Sequence, residues 1–176
     1  QQGKGLDGEG IHVCIVDTGV DLNHDDLDHM NIGFRDFVSS SDTPLDHGLD
    51  NHGTMMVGIL VADGHLKGAA PGVSLSVAAA LGEQEGGETV GETSLVAKAV
   101  EWCWKVMGAD VISLSLGGMQ DENATSGKEV EDAVSEALSK GVFVVAAAGN
   151  DGGFTDDGLV SSPANVPLVI SVGASV

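Results

Sequence analysis

The hydrophobic positions fall into two kinds of run that alternate along the chain. Residues 11–16 are apolar apart from His12, and they lie between Gly8/Gly10 and Asp17/Gly19, as a short buried strand would. Residues 31–37, 74–81, 110–116, 142–148 and 168–173 form further runs of strand length. Between them lie segments with apolar residues at helical spacing. Met55, Met56, Ile59 and Leu60 mark one over 52–62, with Asp50 or Asn51 available as N-cap. Leu95, Val96, Ala99, Val100, Cys103 and Met107 mark a second, capped by Thr93 or Ser94 and ended by Gly108. Val130, Ala133, Val134, Ala137 and Leu138 mark a third. Ser126 and Glu129 open it in a capping-box pattern, and Gly141 sits where a left-handed C-terminal cap belongs. Residues 82–92 read as a Gly/Glu-rich loop.

Strands that are apolar throughout, separated by amphipathic helices, imply one α/β domain. Its expected form is three-layered, with a central, mostly parallel sheet and helices on both faces. Successive crossovers then bring every strand's C-terminal end to one edge of the sheet, where ligands bind in such folds. The candidate chemistry is therefore expected at Asp17, Leu81, Gly82, Ser115, Leu116, Gly117, Gly118, Ala147, Ala148, Gly149 and Asn150.

Composition changes this picture in three ways. Seven Lys+Arg against 27 Asp+Glu give a net charge of −20, which disfavours nucleic acid and anionic membranes as partners. No apolar run has the length of a membrane span, and no signal segment is evident, so the compartment stays open. Two cysteines do not make a disulfide framework. Cys14 in a buried strand and Cys103 on a helix's apolar side are expected to be inert core thiols.

A carboxylate at a strand end beside a histidine at a helix start is an arrangement that orients a base. Asp17 would hold one ring proton of His52, leaving the other nitrogen to accept a proton from a nucleophile. The positive end of the helix dipole would favour the neutral imidazole. The amide of Asn150 could donate to an oxyanion.

These residues carry a family resemblance. Ile15-Val16-Asp17-Thr18-Gly19-Val20, followed by His24 and Asp26-Leu27, resembles the aspartate segment of subtilisin-like serine proteases. His52-Gly53-Thr54 with Gly58 resembles their histidine segment. Residues 112–118 (ISLSLGG) and 146–150 (AAAGN) resemble the substrate-strand and oxyanion segments, and Ala70-Pro71-Gly72 and residues 171–174 (SVGA) also fit. The resemblance implies a serine endopeptidase with Asp17 as orienting acid, His52 as general base and acid, and Asn150 as oxyanion donor. Ser115, Leu116 and Gly117 would pair with a polypeptide substrate or inhibitor, Leu81 and Gly82 would flank it, and Ala147, Ala148 and Gly149 would wall the side-chain pocket. The family is often secreted, and its catalysis needs no cofactor. Asp26 matches a ligand of a structural calcium, although the loop at 63–68 is short where many relatives insert calcium-binding residues. Met55-Met56 also depart from the family's usual pair.

The largest departure concerns the nucleophile. The family's Gly-Thr-Ser-Met-Ala segment does not occur in these 176 residues, and Ser161 and Ser162 lack its helix-start context. The reading is thus of the N-terminal portion of a peptidase domain, incomplete at its C-terminus. The missing segment or a partner chain would supply the serine, and the uncovered part of the sheet would need such a partner. A non-catalytic peptide-binding pseudoprotease is the alternative. Asp17-Thr18-Gly19 also spells the aspartic-protease motif, but that family is all-β and three helical patterns argue against it.

Overall fold

Among the residues that the computed structural model describes (5–83, 89–118, 127–150 and 158–174), the apolar runs become strands and the periodic ones become helices. In chain order they are β1 (His12–Asp17), β2 (Gly33–Asp36), α1 (His52–Val61), β3 (Ser74–Ala79), β4 (Gly82–Glu83), β5 (Thr89–Val90), α2 (Thr93–Lys105), β6 (Val111–Leu114), α3 (Lys128–Ser139), β7 (Phe143–Ala147) and β8 (Ile170–Val172). Six strands form one sheet in the order β2-β3-β1-β6-β7-β8, and every neighbouring pair is parallel. A parallel sheet excludes the all-β reading of Asp17-Thr18-Gly19.

Side chains alternate across a strand, and that period divides the core in two. Cys14 and Val16 of β1 join Ala78, Ile112, Leu114, Val144 and Ala146 beneath α2 and α3. Val13 and Ile15 join Leu75, Val77, Val57 and Val61 beneath α1. The layers are therefore α2 and α3, then the sheet, then α1. Asp17 continues the alternation of Val13 and Ile15, so its side chain points to the α1 side.

The same alternation corrects the reading of the cysteines. Cys14 faces α2, and the buried side of α2 presents Cys103. The two are joined as a disulfide with Cα atoms 5.7 Å apart, so neither is a free thiol. Which helix covered which face of the sheet was not visible in one sequence, and the pairing depends on that.

Three local expectations also change. Residues 82–92 are not loop throughout, because β4 and β5 pair as a short antiparallel hairpin. The N-cap of α2 is Glu92 rather than Thr93 or Ser94; the Ser94 hydroxyl turns back and donates to Glu92 Oε1 at 2.5 Å. The N-cap of α3 is Gly127, and Ser126 lies outside the described residues. Gly141 has the expected left-handed φ of 87°. No described helix is long and apolar enough to cross a membrane. β8 forms one edge of the sheet, with Ile170 and Val172 about half exposed.

Candidate active site

β1 and α1 bring the predicted acid and base together. His52 is the first residue of α1, and its Nδ1–H donates to Asp17 Oδ1 at 2.8 Å. Asp17 is fully buried, whereas about a third of the His52 side chain remains accessible. The acid is thus withdrawn from water while the ring can still meet a reactant. Thr18 N–H also donates to Asp17 Oδ1 at 2.7 Å, and Asp17 Oδ2 is buried without a partner among the described residues.

Burial pushes the Asp17 carboxyl up from its ordinary value, against the bonds from His52 and Thr18. Burial also works against charge on His52. The hydrogen bond to Asp17 and its charge, followed by the charges of Asp50 and Asp46, outweigh that and hold the imidazole above its ordinary value. The helix start alone suggested the opposite direction. Three carboxylates gathered at that start reverse it, because each is a full charge and the helix end only about half of one.

The start of α1 depends on side chains outside the helix. Asn51 occupies the N-cap in a left-handed conformation (φ 53°) and makes no side-chain capping bond. The first three helical amides instead find separate acceptors: Asp50 Oδ1 for His52 at 3.2 Å, Thr18 Oγ1 for Gly53 at 2.8 Å and Asp46 Oδ2 for Thr54 at 2.8 Å. The backbones of the two motifs nearly touch. A Cβ on Gly53 would strike the carbonyl oxygen of Gly19, so the helix can sit this close to the β1 exit only with glycine there.

The loop that carries Asp46 and Asp50 is anchored at its other end by Asp36, the last residue of β2. The buried Asp36 carboxylate accepts bonds from Val38 N–H, Ser39 N–H, Ser39 Oγ and His47 Nε2, the last at 2.9 Å. Burial opposes its ionisation, but these donors bring its pKa down to about 2 from an ordinary 3.8. A depressed carboxyl contributes stability that is present above its unfolded pKa and lost as pH falls through the folded one. Asp36→Asn is therefore expected to destabilise the protein by roughly 2 kcal/mol at pH 7. That difference should close between pH 4 and pH 2, as read by urea melts of both proteins; a gap unchanged over that interval would contradict the assignment.

The remaining predicted residues gather at the same edge. Ala80 and Leu81 amides donate to the Asp17 carbonyl at 2.9 and 3.2 Å, which places Leu81 against the backbone of Asp17, and Gly82 follows it in β4. Ser115, Leu116 and Gly117 leave β6, the neighbour of β1. Ala147 ends β7, and Ala148, Gly149 and an exposed Asn150 follow it.

One contributor was missed. The segment around Ser161 and Ser162 ties the last two groups together. Ser162 and Gly118 exchange amide bonds at 3.0 and 3.1 Å, and Ser161 N–H donates to the Ala148 carbonyl at 2.8 Å. Buried Ser161 packs so closely on Gly117 that a Cβ there would sit 2.9 Å from its own. The Ser162 hydroxyl donates to Glu131 of α3 at 2.8 Å, away from His52. Neither serine carried a sequence signal for this role, because antiparallel bridging between remote segments leaves no local pattern.

Asp26 is buried, and backbone donors of the short 63–68 turn take both its oxygens: His65 N–H on Oδ1 at 2.5 Å and Leu66 N–H on Oδ2 at 3.2 Å. Among the described residues no three His, Cys, Asp or Glu side chains converge as a metal site. The Asp26 carboxylate is thereby tied to the 63–68 turn.

Residues 8–176 match the Subtilase family. The chain is 34% identical to the major intracellular serine protease of Bacillus subtilis (strain 168), covering 97% of this chain and 53% of that protein. It is 39% identical to a thermophilic serine proteinase of Bacillus sp. (strain AK1), covering 97% and 39%. Among solved structures, a cold adapted subtilisin-like serine proteinase superposes with a TM-score of 0.77 at 30% identity, covering 97% of this chain and 57% of that one. The chain thus spans about half the length of the relatives it matches.

Proposed function

We propose, from the premise that this chain belongs to the subtilase family, that it supplies the acid–base half of a peptide-hydrolysing site. The observation that carries the proposal is the bond of 2.8 Å between His52 Nδ1 and Asp17 Oδ1, at the sheet edge where the other candidate residues collect. With Nδ1 holding its proton for Asp17, the free ring nitrogen of His52 takes the proton of an attacking serine hydroxyl. It then returns that proton to the leaving amine. Asn150 donates to the oxyanion of the tetrahedral intermediate. A polypeptide substrate lies as an added strand on Ser115, Leu116 and Gly117, flanked by Leu81 and Gly82. Ala147, Ala148 and Gly149 wall the pocket for the residue before the cut. The serine itself comes from outside these 176 residues, in a further segment or a partner chain.

The test is labelling with a fluorophosphonate, which reacts only with an activated serine. The 176-residue chain is expected to stay unlabelled, and the polypeptide that joins it to its nucleophile is expected to be labelled at that serine. Labelling of Ser161 or Ser162 in the chain alone would overturn the proposed division of the triad. Retained peptide binding with no labelled serine in the joined polypeptide would identify a peptide-binding pseudoprotease instead.

A further inference from the structure

The Asp17–His52 bond joins a strand to a helix, and its length depends on how these two elements are held relative to each other. Thirty-five positions separate the two residues. A bond of this kind acts in catalysis only if its geometry stays within a fraction of an ångström, which requires support from neighbouring groups. The N-cap residue of α1 gives no such support, since Asn51 makes no side-chain bond to the helix.

The support converges on one carboxylate. Asp46 Oδ1 accepts the Thr18 hydroxyl at 2.6 Å and Gly48 N–H at 3.0 Å. Its Oδ2 accepts Thr54 N–H at 2.8 Å and the Thr54 hydroxyl at 2.6 Å. Thr18 directly follows the acid, and Thr54 lies two residues beyond the base. The two threonines extend the connection: Thr18 Oγ1 accepts Gly53 N–H at 2.8 Å, and Thr54 Oγ1 accepts Asp21 N–H at 2.9 Å. Thr18 Oγ1 also lies 3.3 Å from Asp17 Oδ1, but one hydroxyl has one proton and the shorter contact is to Asp46. Asp46 is further fixed by its own backbone, which bridges to Gly19, while His47 N–H donates to the Thr18 carbonyl at 2.8 Å.

We propose that Asp46 is the positioning residue of the acid–base pair, its two carboxylate oxygens clamping the exit of β1 to the start of α1 through Thr18 and Thr54. It touches neither His52 nor any reacting atom, and it acts through the two threonines. Only an ionised carboxylate can do this, because all four groups that meet its oxygens donate. In an amide the nitrogen has no acceptor capacity, so one side of the clamp must open. The inference rests on the reading of Asp17 and His52 as the acid–base pair. Among the described residues the charged groups facing the imidazole are Asp17 from β1 and Asp46 and Asp50 from the loop before α1.

Proton NMR of the full 176-residue chain tests the proposal without any need for turnover. In the unsubstituted chain the His52 Nδ1 proton is expected far downfield and slow to exchange with water. In Asp46→Asn its exchange should accelerate on the order of tenfold or more, the effect of losing a charge-assisted hydrogen bond. The titration of His52 should also move down. A residue that merely caps a helix would alter melting but leave that proton in place. Should Asp46→Asn fail to fold, Thr18→Val and Thr18→Ser decide the matter, since serine keeps the hydroxyl link and valine removes it. Faster exchange in the valine variant only supports the clamp. An unchanged Nδ1 proton in folded Asp46→Asn, or equal exchange in the two Thr18 variants, overturns it. Absence of the downfield proton from the unsubstituted chain overturns the Asp17–His52 pairing itself, which is a separate failure.

Discussion

Replacing His52 with alanine is expected to lower kcat for peptide hydrolysis by on the order of 10⁴-fold or more in the polypeptide that unites this chain with its nucleophile. The bound substrate should be held almost as before, because the segments proposed to pair with its backbone do not involve the imidazole. KM is accordingly expected to change little, and the loss to fall on kcat. Asp17→Asn should cost a comparable factor by a different route. An amide at that position offers an N–H as readily as a carbonyl, so the tautomer that leaves the catalytic nitrogen free is no longer enforced. Steady-state kinetics on both variants checks the pair, and a loss below tenfold for either would remove it from the mechanism.

The pH profile expected of the same polypeptide adds a sign. His52 must be neutral to accept a proton, and its pKa lies above the ordinary 6.5. The acid limb of kcat/KM should therefore fall above pH 6.5, and Asp46→Asn should draw it back down. In folding the sign is opposite to that of Asp36. A raised histidine contributes stability in full below its unfolded pKa and loses it as pH rises through the folded value.

The second large effect concerns the disulfide. Cys14 and Cys103 lie 89 positions apart, and opening so long a loop should destabilise the fold by about 4–5 kcal/mol on chain-entropy grounds. A domain of this size commonly has a total stability of about 5–15 kcal/mol, so reduction removes a large share of it. The bridge fastens α2 to β1 three residues before Asp17, and the strand that bears the acid is thereby secured from the opposite face. Urea unfolding of the oxidised and reduced chain, with Cys103→Ser as a control that cannot re-form the bridge, measures the difference. Coincident curves would mean that packing under α2 holds the two elements by itself.

Much of this molecule follows from local pattern. The apolar runs around Val13, Val77, Ile112 and Val144 are strands, and the spacing of Val96, Ala99, Val100 and Cys103 is a helix, because burial on a period of two or 3.6 leaves its mark on neighbouring residues. The placement of Asp17 and His52 at one sheet edge was legible for the same reason, once parallel order was inferred from fully apolar strands. Tertiary structure alone decided the contacts whose partners are remote. Cys14 faces Cys103 because α2 covers that side of β1. Asp46 clamps Thr18 and Thr54 because a loop returns across the β1 exit, and Asp26 accepts bonds from the backbone of the 63–68 turn. Periodicity reports which face of an element is buried. It carries no record of what lies opposite, and hydrogen bonds, bridges and shifted titrations all depend on that opposing group.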